Sequence, residues 1–379
     1  MSGRRLLALL WLSLALPWFS PHLAQGSLTV RVLIKEENPR LEVSAEEGLS
    51  VVEIDAQKVI EVRPGGGPLV IAFHAPGLVM GGRRIPAEAL EVRAVGGGPL
   101  KIDGRSYRGF VEVRKGKEGK LLVINVLDLE DYIQGVMKEE ISPRWPLEAM
   151  KAQAVVARTY ALYQVRQNPG APFHLRATTA SQVYIGLDGE DSRSNLAVRE
   201  TVGLILIYQG KVIPAFYHAC SGGHTEDASD VWGGDFSYLV GVADGYCTES
   251  PHLTWEVTIE IPEIRRALLR EGYVVGDIYA LEPLERSRSG RIKRLRIRHS
   301  FGVLELEGKR LRQILGNDLI RSTSFTVTVS EGVVKFQGKG WGHGVGLCQW
   351  GAKGMAERAY NFEEILKYYY PLAELKRLE

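Results

Sequence analysis

The hydrophobic period of this chain changes at Asp128, and that change constrains the fold more than any other feature. Before it, apolar residues come in short runs such as Leu28-Thr-Val-Arg-Val-Leu-Ile, Pro68-Leu-Val-Ile-Ala-Phe and Leu90-Glu-Val-Arg-Ala-Val, broken by Gly65-Gly-Gly-Pro and Gly96-Gly-Gly-Pro. Runs of strand length between Gly/Pro breakers predict an all-β region over 27–120. After it, Leu129, Tyr132, Ile133 and Val136 fall at i, i+3, i+4 and i+7, one face of a helix that Asp128 caps. The expectation is an α+β chain: a small β-rich region, then a domain over 121–379 of mixed helices and antiparallel strands.

The first helix ends before Ser142-Pro143, because a residue before proline resists the helical conformation. Glu140 lies eleven residues after Leu129. At roughly 100° per residue it returns to within about 20° of the apolar line, whereas Glu139 points off it. Burial raises a carboxyl pKa, and an acid still protonated near neutrality can protonate a leaving group. The other reading of Glu140 is a buried structural acid paired with Arg158 or Lys151.

Pro146 opens a second helix, Leu147 to about Tyr163, whose five alanines allow close packing. Residues 202–219 read as a hairpin turning at Gln209-Gly210. Residues 254–335 read as an accessory α+β unit with short helices near 262–271 and 309–316. In Gly338-Lys-Gly-Trp-Gly-His-Gly-Val-Gly346 every second residue is glycine. Two helices, Leu347–Ala359 and Phe362–Tyr370, follow.

Arg4, Arg5 and the apolar run Leu6–Leu16 have the form of an export signal ending at Gly26. The run is short for a span of about 20 residues, so membrane contact is expected only if the segment stays attached. Removing 1–26 takes two arginines and no acids, leaving 45 basic and 45 acidic side chains. That balance gives no electrostatic footprint for nucleic acid. Three cysteines do not build a disulfide scaffold. His218, Cys220, His224 and Cys247 form a candidate zinc set with one open position. The competing readings are a Cys220–Cys247 disulfide and ordinary polar groups. Cys348, inside a predicted helix, reads as a buried inert thiol.

Three segments carry a resemblance. They are Asp131-Tyr-Ile-Gln-Gly-Val-Met-Lys-Glu-Glu-Ile with Leu147-Glu-Ala-Met-Lys-Ala-Gln-Ala-Val-Val-Ala-Arg-Thr-Tyr; Ala180-Ser-Gln-Val-Tyr184 through Ser221-Gly-Gly-His-Thr-Glu and Val231-Trp232; and Gly340-Trp-Gly-His-Gly-Val-Gly-Leu-Cys-Gln-Trp-Gly-Ala352. In this order they resemble the SpoIID/LytB family over about 120–379. The resemblance implies an exported peptidoglycan-active enzyme of the periplasm or cell envelope. It would be a lytic transglycosylase cutting glycan strands between N-acetylmuramic acid and N-acetylglucosamine. The family's catalytic glutamate, seven residues before Leu147, falls on Glu140. Relatives read Glu-Met-Pro where this chain reads Glu140-Ile-Ser-Pro143. The resemblance also implies an alternative, a non-catalytic enhancer of a cell-wall amidase, and the 218–247 cluster offers another, a zinc-dependent amidase. No cofactor is required by the first reading, and zinc is the metal that the donors suit. Some relatives bind zinc through one histidine and two cysteines. Ser181, Gln182, Tyr184, Tyr217, Ser221, Thr225 and Glu226 are candidates to line a sugar cleft, with Trp341 to stack on a ring and His343 to hydrogen-bond it. Glu226 is also a candidate second carboxylate. For His343 the competing reading is a residue that closes a tight turn.

Overall fold

The computed structural model describes residues 28–378 apart from 37, 38, 66, 75, 76 and 235. The expected export signal lies outside the described residues. The fold is α+β, as the change of period predicts. Among the described residues no helix is long and apolar enough to cross a membrane.

The β-rich region forms two sheets. One has seven strands in the order Leu175–Arg176, Thr29–Lys35, Leu121–Asp128, Phe110–Lys115, Ala89–Ala94, Gly48–Glu53, Lys58–Pro64. The other has six, built around Arg40–Ser44 and Leu69–His74. Alternate residues such as Leu41, Val43, Val111, Val113 and Val123 are buried in a core shared with the helices that follow. The expected boundary at 120 therefore marks no physical division. It cuts the turn between Phe110–Lys115 and Leu121–Asp128, which pair over their whole length. The Leu175–Arg176 strand also joins this sheet, parallel to Thr29–Lys35.

Eight helices are described: α1 (Leu129–Glu140), α2 (Leu147–Gln167), α3 (Ser192–Glu200), α4 (Ala228–Trp232), α5 (Ile261–Arg270), α6 (Gly308–Leu315), α7 (Gln349–Ala356) and α8 (Phe362–Tyr369). The Asp128 side chain caps α1 by accepting from the Glu130 N–H at 2.7 Å. Ala149, Ala152, Ala154, Ala157 and Ala161 are all fully buried, so α2 is the central helix, contacting α1, α3, α7 and α8. It runs one turn beyond the expected Tyr163. Residues 255–336 enclose a second core, including Trp255, Leu268, Leu295 and Phe336. The accessory unit is thus a packed body, with its helices at α5 and α6.

Arg158 is the largest charged group in the interior and is fully buried. Its guanidinium grips Glu130 with two bonds of 2.7 Å and also donates to the carbonyls of Leu204 at 3.1 Å and Val198 at 3.3 Å. Lys151 pairs with Glu148 and Glu200. Neither cation is paired with Glu140, so the structural-acid reading loses both proposed partners. Truncating one member of a buried pair strands the other charge. Glu130→Ala should therefore lower the unfolding free energy by about 3–5 kcal/mol, measured by urea titration.

Candidate functional site: a cleft closed by a glycine-rich strand

The cleft, of about 600 Å³, is lined by the end of α1, the 179–183 loop, residues 216–219, Trp232 and residues 341–343. Two chain segments meet at its wall. Tyr217–His218 pairs in parallel with Leu347–Cys348, and Cys220 bridges Trp341. Gly340, Gly342, Gly344 and Gly346 all have positive φ, between 71° and 113°. The approach is too close for side chains: a Cβ on Gly342 would lie 2.7 Å from the His218 Cβ, and one on Gly346 2.1 Å from the Phe216 carbonyl oxygen. The alternating glycines are a packing requirement of this wall.

Glu140, the last residue of α1, lines the cleft. Its Oε1 accepts the Val183 N–H at 3.1 Å, and its carboxyl also accepts the Tyr217 hydroxyl. Burial pushes its pKa above the ordinary carboxylate value, opposed by these two donors and reinforced by the charge of Glu139. Tyr217 is itself held in a chain of side chains. Tyr132 donates to Gln182 Oε1 at 3.2 Å, and the Gln182 amide donates to the Tyr217 oxygen at 3.2 Å. The end of α1 is fixed from behind. Gln349 of α7 donates to the Glu140 carbonyl at 2.9 Å, satisfying a helix-end acceptor. Beyond it, Arg193 holds the Pro143 and Trp145 carbonyls, and Trp145 meets Trp350 edge-on at 4.9 Å. The loop with the displaced Pro143 is therefore tied down.

Two imidazoles share one peptide. His218 Nδ1 donates to the Val345 carbonyl at 3.1 Å, while the Val345 N–H donates to His343 Nδ1 at 3.0 Å. The His343 ring also bonds the Tyr217 carbonyl. Burial, with the charges of Arg291 and Arg312, depresses His343 to about 3. Burial also holds His218 well below the usual histidine value, so both rings are neutral. His343 thus spends its nitrogens on the turn, as its competing reading has it. His218 does not: its Nε2 is buried without a partner, and with Nδ1 as the donor it is an acceptor.

The residues expected to line the cleft divide. Glu140, Ser181, Tyr217, Trp341 and His343 line it. Gln182 is fully buried behind Tyr217, and Tyr184 is buried with its hydroxyl on Asn125 at 2.8 Å. Ser221 is buried with its hydroxyl on Asp244 at 2.7 Å. Thr225 is buried and binds the Val242 carbonyl. Glu226 lies in a neighbouring cavity behind His343, where it accepts from Ser287 and Ser289 at 2.5 and 2.7 Å, so it is no second carboxylate for this cleft. Sequence reasoning missed Phe216, Tyr160 and the role of Trp232. Trp232 is 42 % exposed at the rim and packs on Phe216 at 4.2 Å. An exposed tryptophan is the signal that marks it.

The proposed zinc set does not converge. Cys220 and Cys247 are in contact, but His218 turns to the cleft and His224 bonds the Thr225 carbonyl at 2.6 Å. Among the described residues, neither cluster of three or more potential ligands includes a histidine. Cys348 caps α7 instead of lying inside it.

A raised carboxyl pKa means that the folded state holds the proton more tightly. The stability this gives is present at low pH and is lost as pH rises through the folded pKa. Carboxyl-carbon NMR should find Glu140 titrating above a free glutamate. Tyr217→Phe, which removes a donor to the carboxylate, should raise it further.

Comparison with known proteins agrees with the geometry. The family model described as Stage II sporulation protein (SpoIID) matches residues 117–208, and a domain of unknown function (DUF8618) matches 228–346. An uncharacterized protein of Brachyspira hyodysenteriae is 37 % identical over 66 % of this chain and 67 % of its own length. The stage II sporulation protein D of Bacillus amyloliquefaciens is 32 % identical over 64 % of this chain and 73 % of its own. The amidase enhancer of Bacillus subtilis is 28 % identical over 72 % of this chain but only 44 % of its own length. By these matches the chain belongs to the SpoIID/LytB family.

Proposed function

We propose that this chain is an exported lytic transglycosylase of peptidoglycan glycan strands, with Glu140 as the general acid and then the general base. The observation that carries this reading is a partly buried carboxyl, with a raised pKa and no cationic partner among the described residues, opening into a sugar-sized cleft. Glycosidases that use water position two carboxyls on either side of the bond. Here the other lining carboxylate is Glu139, exposed and adjacent on the same helix end.

One carboxyl suffices if the substrate supplies its own nucleophile. Glu140 gives its proton to the glycosidic oxygen, the C1–O bond breaks, and positive charge develops at C1 of the muramoyl ring. The Glu140 carboxylate then takes the proton of the 6-hydroxyl as O6 bonds to C1, which closes a 1,6-anhydro ring and restores the acid. The Val183 N–H and the Tyr217 hydroxyl stabilise the carboxylate between these steps. Trp232 and Trp341 offer rings for stacking.

Likeness to the amidase enhancer supports a second reading, a wall-binding protein without turnover that assists an amidase. Zinc-amidase chemistry in the cleft has no converged ligand set to support it. Product analysis on stem-free glycan separates the readings. The transglycosylase should release anhydro-muramoyl ends, and Glu140→Gln should lower the rate by about 10²–10⁴-fold while glycan is still bound. Binding without product favours the enhancer, and release of stem peptides from intact wall favours an amidase.

A further inference from the structure

We infer that Cys220, Cys247 and Cys348, with Asp244, form a closed zinc site behind the cleft wall. The four residues come from three separate segments and are all buried: the loop after Tyr217–His218, the 244–250 turn and the start of α7. Cys220 lies beside the other two thiols. The Cys247 and Cys348 sulfurs and a carboxylate oxygen of Asp244 lie within 4.8 Å of one another. A tetrahedron with bonds of about 2.3 Å has sulfur–sulfur edges near 3.8 Å, so these three ligands need only a small contraction, and Cys220 draws in beside them as the fourth.

Donor groups converge on the sulfurs. Cys348 Sγ accepts two backbone N–H groups, from Ser221 at 3.2 Å and from Gly351 at 3.3 Å. It also caps α7, where partial positive charge favours an anion. Asp244 is oriented by the Ser221 hydroxyl at 2.7 Å, the Tyr246 N–H at 3.1 Å and the Tyr369 hydroxyl at 3.1 Å, as outer groups orient a metal ligand. Arg291, buried nearby, donates to the Ser221 carbonyl at 2.7 Å.

Binding forms three zinc–sulfur bonds and one zinc–oxygen bond, and releases the thiol protons to solvent with no change of oxidation state. The site fastens the 219–222 loop, the 244–250 turn and α7 to one another. It is structural and does not depend on the glycan-cleaving reading. It also differs from the His218/Cys220/His224/Cys247 set.

The test is elemental analysis of the full chain purified without chelator, with a count of free thiols after denaturation. The expected result is about one zinc per chain and three free thiols. Cobalt substituted for zinc should give a sulfur-to-metal charge-transfer band, unchanged in His218→Ala and His224→Ala and weakened in Cys348→Ser. Ser221→Ala, which removes an orienting hydroxyl and no ligand, should lower zinc affinity about 10–100-fold. A chain without zinc, or one whose intact mass is two hydrogens lighter because two cysteines are joined, overturns the site, as does a cobalt band abolished by the histidine variants.

Discussion

The close passage of residues 340–346 along residues 216–222 is the constraint on which the site depends. Backbone bonds lock the two together: the Cys220 N–H to the Trp341 carbonyl at 3.1 Å, and the Trp341 N–H back to the Cys220 carbonyl at 2.8 Å. Side chains at 340, 342, 344 and 346 would strike Cys220, His218, Arg291 and Phe216. With glycine there, Trp341 and His343 reach the cleft on one side of the wall while the thiols gather behind it. A chain without that alternation could not seat Tyr217 beside Glu140.

Glu140 then stands in a local conflict. An ionised group there is favoured by full solvation or a cation, and this one is only partly solvated and, among the described residues, is in no ion pair. The fold keeps it there with donors suited to either protonation state and no cation. Such placement sacrifices stability at neutral pH, a cost common where a group is kept for chemistry. The contrast with Arg158 is instructive. That charge is fully buried, where Glu140 is only partly so, yet Glu130 and two carbonyls satisfy it, so it serves the core and does not face a cavity.

Much of this was legible in the residues. The change of period at Asp128 gave the α+β architecture, and helix phase separated Glu140 from Glu139 before any family likeness was considered. What escaped was long-range pairing. Gln182 and Tyr184 look like cleft polar groups, but they lie beneath it, one orienting Tyr217 and one packed on Tyr132. Glu226 is close to the loop motif in sequence, yet its serine partners come from the accessory unit. Cys348 was read as interior to a helix because no local signal shows that a two-residue strand precedes α7. The boundary at 120 follows the start of the family likeness, whereas the hairpin across it carries one sheet through.

The most direct test of the central claim is the pH profile of anhydro-muramoyl release from stem-free glycan at saturating substrate. If Glu140 is the acid and the substrate its own nucleophile, the rate is level at low pH. It then falls with a single descending ionisation above the ordinary glutamate range, and Tyr217→Phe moves that fall to higher pH. A bell-shaped profile with an ascending limb from a second carboxylate, or a descending limb that Tyr217→Phe leaves in place, would contradict the account.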